Sequence, residues 1–279
     1  MLVTTPNFKN WITLLLKVHS SNEITRFILH RVGLIAVMIA ITASASLLNA
    51  QSLTGLSGGY SIPTADFHKD KTMFFGYSFL NNKYYDKYVP SKDYSYSAGF
   101  FTLTFLPFAE VSVRVTYPNG YNAEHEDIII GDRMISGRLL PLKESKYLPA
   151  VVIGLQGFYK TTGGDGLLNT SGEGASYFNS SYLVLTKHFH PKKVIGSIGI
   201  SGGYGSDIIA ANTHQFIGLF GGINISPKNM EYLELMMEYD ADKWNAGMRL
   251  TILKHIVLLA GLEGLDAFSF GINYRFVLP

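Results

Sequence analysis

The chain has 279 residues, enough for one large domain, and all-β barrels of this size usually stay single. Charged residues make up only 16% against roughly 25% in ordinary soluble domains, while aromatics reach 13% and glycines number 28, a balance that suits a wall with one lipid-facing side. The net charge of +2 is too small and dispersed for nucleic-acid binding, and the absence of cysteine excludes disulfides, Cys-ligated zinc, iron–sulfur clusters, thiol catalysis and a lipid-bearing cysteine.

Residues 1–25 read as an N-terminal extension without fold, with a weak apolar patch from Trp11 to Val18. Residues 26–50 read as a secretory signal peptide: positive charge first, an apolar core from Val32 to Ile41, then small residues. Cleavage is expected near Ala50, leaving Gln51 first, and the apolar core is short of a transmembrane helix. Residues 51–71, with GLSGGYSIPTAD, hold turn residues and Pro63 and are expected to form a periplasmic entry segment.

Residues 72–279 carry strand-length runs with period-two alternation. The expected strands are Thr72 to Leu80, Tyr94 to Phe105, Val111 to Tyr117, Arg133 to Leu140, Ala150 to Lys160 and Ser180 to Phe189. Val194 to Tyr204, Gln215 to Ser226, Tyr232 to Tyr239, Trp244 to Ile252, Ile256 to Glu263 and Ala267 to Phe276 follow. In the last run Phe268, Phe270, Ile272, Tyr274 and Phe276 share a face opposite Ser269, Gly271, Asn273 and Arg275. No run sustains a helical period.

Connections after the first, third, fifth and seventh strands are long and polar, those between are short turns such as LPFA, HPKK, SPKN and LKH, and the later ones near Asp240 and Leu265 are short too. The alternation is the mark of an outer-membrane barrel with long loops outside and tight turns in the periplasm. The fold expected is therefore all-β: a single antiparallel up-and-down transmembrane β-barrel of about twelve strands, within a range of about ten to fourteen. An even strand count places both termini in the periplasm of a Gram-negative bacterium. Arg114, Arg138, Glu234, Glu238, Arg249, Glu263 and Arg275 are the expected lumen-facing charges.

Catalytic chemistry finds little footing. His68, His125, His188, His190, His214 and His255 lack a paired Ser and acidic partner at a recognisable spacing, and His188 with His190 lack further metal ligands. GGDG at Gly163 to Gly166 and SGGYG at Ser201 to Gly205 precede no helix, so neither forms a phosphate cradle. No catalytic residue, metal or cofactor is expected. Tyr84, Tyr85 and Tyr88 are candidates for stacking on sugar rings, against a plainer reading as girdle or loop-packing tyrosines.

Asp132, Arg138, Glu144, Leu148-Pro149-Ala150, Gly154-Leu155-Gln156, and Tyr182 with Lys187 carry a resemblance, and the GxYSIPTA segment Gly59 to Ala65 adds to it. The pattern resembles the YjbH-like family of bacterial outer-membrane proteins associated with exopolysaccharide production. Gly157 and Ser181 depart from it, standing where acidic residues are expected. The resemblance implies a barrel in the outer membrane with a non-enzymatic role in export or assembly of an extracellular polysaccharide. Expected partners are outer-membrane lipid, the barrel-assembly machinery, and polysaccharide or export proteins. The alternative function is a narrow, porin-like diffusion channel for small polar solutes, with the lumen charges setting selectivity.

Overall fold

The computed structural model describes residues 51–85, 95–119, 132–160, 166–167, 179–191, 195–209 and 216–279. The strands are β1 Thr72–Leu80, β2 Tyr96–Thr104, β3 Ala109–Pro118, β4 Asp132–Leu142, β5 Ala150–Lys160, β6 Gly166–Leu167 and β7 Ser180–Phe189. Then come β8 Ile195–Ser206, β9 Gly218–Pro227, β10 Leu233–Tyr239, β11 Trp244–Ile252, β12 Ile256–Glu263 and β13 Ala267–Val277. A single helical turn, α1 Asn82–Tyr85, follows β1.

β6 is a two-residue ribbon on β5, and the other twelve strands form the wall. Each wall strand pairs antiparallel with its neighbours in the chain, β4 pairs with β5, and β1 pairs with β13 from Thr72↔Val277 to Phe79↔Phe270. The sheet is thus a closed twelve-strand antiparallel barrel, and closure leaves no wall strand with an unpaired edge. Its strands lie within three residues of the sequence-derived bounds at either end. β6 is the addition, found in an interval that periodicity left as loop.

Alternation fixes which side chains go where, because a pleated strand turns successive residues to opposite faces. Along β13, Phe268, Phe270, Ile272, Tyr274 and Phe276 are exposed on the outer face while Ser269 and Asn273 are buried inside. The mid-barrel exterior continues with Val113, Ile153, Leu183, Ile200, Leu235 and Met248. Exposed aromatics gather toward the two ends of the wall: Tyr117, Tyr204 and Trp244 near one, Phe105, Phe108, Tyr147, Phe189 and Phe276 near the other.

The second of these is the turn end, where the short connections lie. The three residues 253–255 join the paired Ile252 and Ile256, and Leu253 and Lys254 both take positive φ there, 50° and 66°. Neither is glycine, so the register of β11 and β12 imposes the turn on residues that do not favour it. The chain enters β1 and leaves β13 at this end, where the Leu278 N–H donates to the Lys71 carbonyl at 2.9 Å.

Candidate functional site

The segment before β1 lies inside the barrel. Every residue from Gln51 to Ala65 is buried, which corrects the expectation of a periplasmic entry segment over 51–71. Composition explains the compact course: Gly, Ser and Pro permit tight turns, and the segment partly satisfies its own backbone. Gln51 bridges Ser57 and Gly58 bridges Pro63, while the N–H groups of Leu53 and Gly59 donate to the carbonyls of Tyr60 and Ile62 at 2.9 and 3.0 Å.

Charged wall residues take what remains of that backbone, since a buried polar group without a partner is costly. The Glu238 carboxylate on β10 accepts from the N–H groups of Tyr60 at 2.5 Å, Ser61 at 2.8 Å and Ile62 at 3.2 Å, and from the Ser61 hydroxyl at 3.0 Å. Across the lumen on β3, Glu110 accepts from Ser57 N–H at 2.9 Å and from its hydroxyl at 2.5 Å. Arginines supply the complementary donors. Arg138 on β4 donates to the carbonyls of Ser57 at 2.7 Å, Thr64 at 2.8 Å and Asp66, Arg249 on β11 to those of Gly58 at 2.6 Å and Gly59 at 2.8 Å, and Arg114 on β3 to that of Thr54 at 3.1 Å.

Neutral side chains complete the seat. Thr102 on β2 donates to Gly55 O at 2.5 Å, Thr186 on β7 accepts from Ala65 N–H at 2.7 Å, and the Tyr60 hydroxyl reaches Ser269 O on β13 at 3.3 Å. One short segment therefore touches β2, β3, β4, β7, β10, β11 and β13, and it stands across the lumen rather than along one wall. At Gly59 the fit is closest: an added Cβ would lie 1.8 Å from Glu238 Oε1.

Of the seven charges expected to face the lumen, Arg114, Arg138, Glu238, Arg249 and Glu263 are buried. Glu234 pairs with Arg249, and Arg275 lies at the turn-end rim, donating to the Lys254 carbonyl at 2.9 Å through Nε. Two wall pairs hold opposite signs together, Arg249 with Glu234 and Arg138 with Glu110 at 3.0 Å. Glu110 was missing from the sequence-derived set because its strand was begun at Val111. Its parity with Ser112 and Arg114 on the inner face was the available signal.

The root of the segment is clasped at the turn end. Asp66 lies 3.4 Å from His188 Nε2, whose Nδ1 is 2.7 Å from Glu144, and Glu144 also accepts from His188 N–H at 2.9 Å and pairs with Lys187 at 3.1 Å. Although partial burial alone would raise it, these hydrogen bonds hold the Glu144 carboxyl below its usual value. His68, buried against Phe74 with ring centroids 4.4 Å apart, is held well below its usual value by burial and by the Arg138 guanidinium. A cavity of about 550 Å³ opens here beside Asp66, His68, Lys143, Glu144, His188 and His190.

The motif residues behind the family resemblance fall into two groups. Glu144 and Lys187, with Pro149 just ahead of β5, tie the β4–β5 connection to the end of β7, where Lys187 Nζ also donates to Ser145 O at 2.5 Å. Gly154 and Tyr182 meet inside the wall, where a Cβ on Gly154 would come within 2.1 Å of the tyrosine ring. Asp132 opens β4. Tyr84 and Tyr85 lie in α1, while the side chains of both, and Tyr88, His125 and His214 altogether, fall outside the described residues.

No family model matches the chain, and no curated protein matches it. Two solved structures are similar in outline. A KdgM porin has 8% identity and a TM-score of 0.40, the match covering 75% of this chain and 99% of that one. An outer membrane channel from Pseudomonas putida F1 has 10% identity and a TM-score of 0.33, covering 76% of this chain and 97% of that one.

Proposed function

We propose that this chain is an outer-membrane β-barrel working as a narrow channel for small polar solutes, held closed by its own residues 51–66. The observation that carries the reading is the inner wall. It buries Arg114, Arg138, Arg249, Glu110 and Glu238 and directs them at one short segment. A barrel serving only as an anchor has no use for such residues, because apolar side chains would fill its interior without desolvating charge. With the segment withdrawn, the same charges would face water and line a polar passage.

The apolar exterior and the aromatics toward both ends support a bilayer setting, with the strands crossing lipid and the aromatics at the interfaces. Delivery to the outer membrane by a signal peptide cleaved near Ala50, with the C-terminus in the periplasm and the mature N-terminus drawn from that side into the lumen, belongs to the same reading. The polysaccharide role rests on the family resemblance alone, and a segment standing across the lumen obstructs the path a polymer would take.

Swelling of proteoliposomes tests the channel. Vesicles carrying the parent protein should swell slowly in small sugars and amino acids, and vesicles carrying Gly58→Ala, whose Cβ would meet the Ile62 carbonyl at 2.4 Å, should swell quickly. Equal and negligible swelling in both, with the segment shown to be out in the variant, would refute a channel.

A further inference from the structure

The contacts that seat residues 51–66 have a common character. They go almost wholly to main-chain atoms: Glu238 and Glu110 take N–H groups, and Arg138, Arg249 and Arg114 take carbonyls. Serine hydroxyls of the segment add three contacts, to Glu110, Glu238 and Asn245, and the Tyr60 hydroxyl adds one to Ser269 O, while its one charged side chain, Asp66, lies at the turn end beside His188. The segment also carries hydrogen bonds of its own, so its turn is shaped by itself as well as by the wall. Half-buried Phe67 and buried His68, then an exposed stem, Lys69-Asp70-Lys71, link it to β1.

We infer that the lumen is a binding site for a glycine-bearing peptide turn, and that residues 51–66 occupy it as a ligand whose covalent link is dispensable. A separate peptide presenting the same main-chain groups takes its place. The inference rests on the closed-channel reading and names the class of molecule that opens the channel by competition. Wall carboxylates and guanidinia arranged for amide N–H and C=O groups favour peptides over sugars, because a sugar offers no run of consecutive N–H donors to Glu238.

The test uses the full chain with a site-specific protease sequence inserted between Lys69 and Asp70. After cutting in detergent, the fragment ending at Lys69 should stay with the barrel through size exclusion. A labelled synthetic peptide of residues 51–69 in excess should then replace it. The same peptide carrying Gly58→Ala should bind at least about tenfold more weakly, since its Cβ would meet the Ile62 carbonyl within the turn at 2.4 Å. A scrambled peptide should not bind.

Immediate loss of the fragment on cutting, or equal binding of the Gly58→Ala peptide, would overturn the inference. So would a site that resists cutting until the protein is heated, because the stem would then belong to the fold. Conductance recorded on the same cut sample separates the two readings. Peptide exchange without current in the emptied barrel refutes the channel and leaves the peptide site standing, whereas current on emptying without exchange does the reverse.

Discussion

Replacing Glu238 by alanine should drive residues 51–66 out of the lumen. The carboxylate accepts three consecutive backbone N–H groups and one hydroxyl, at 2.5 to 3.2 Å. A hydrogen bond to a charged group contributes about 1.5–3 kcal/mol, but the loss is smaller than four such bonds because water enters the vacated space and a buried carboxylate no longer needs desolvation. We expect about 3–5 kcal/mol, the usual cost of breaking a buried charged contact by removing one side. At about 1.4 kcal/mol per decade, the fraction of protein with the segment out should rise by roughly two to three and a half decades.

The chain has no cysteine, so Ala65→Cys introduces a lone thiol at a buried position whose backbone N–H donates to Thr186. Labelling by a membrane-impermeant maleimide should be slow in that background and faster by hundreds-fold or more with Glu238→Ala. Glu238→Gln should fall between, because one amide oxygen can still accept. An unchanged labelling rate in Glu238→Ala, with the barrel intact by heat-modifiable migration, would refute the account of how the segment is held.

Other outcomes follow from separate contacts. Gly154→Ala should destabilise the barrel by about 1–3 kcal/mol in urea through overpacking against Tyr182, and should cost less than that in a Tyr182→Ala background, where the ring is gone. Glu144 titrates below its ordinary value of 4.5 when folded, so its contribution is complete above that pH and disappears as pH falls through the folded value. Glu144→Gln should therefore weaken the β4–β5 clasp at pH 7 and bring no further loss once the pH is below the folded value, read by proteolysis of the 143–149 connection. His68 is held below its ordinary 6.5, so the unfolded chain takes up a proton first, and stability should decline as pH falls below about 6.5, by at most about 1.4 kcal/mol per pH unit. His68→Phe should flatten that part of the urea-midpoint profile, and an unaltered slope would remove His68 from the explanation.

The wall was legible because its signal is local. Five alternating apolar residues from Phe268 to Phe276 state which face meets the exterior, and short turns such as LKH fix where the strand must reverse. The segment in the lumen was not legible for the opposite reason. Residues 51–66 have no periodicity, and their partners lie far along the chain, Glu238 being 178 positions from Tyr60 and Arg138 being 81 from Ser57. Gly, Ser and Pro declared turns correctly but could not say where those turns reside. Arg138 and Glu238 could be placed on an inner face by parity alone, yet their occupation by a peptide backbone depends on three-dimensional closure. The Glu144–His188–Asp66 clasp escaped notice because its members come from a connection, a strand end and the segment root, none of which carries a pattern.

Single-channel recording in planar bilayers tests the central claim most directly, comparing the parent protein with Glu238→Ala at matched insertion. The parent should be silent or open only in rare brief events, and the variant should show long discrete steps whose selectivity changes when Arg114 or Arg249 is neutralised. A parent that conducts steadily with Ala65→Cys still protected, or a variant that stays silent with Ala65→Cys freely labelled, would contradict a channel closed by its own N-terminal segment.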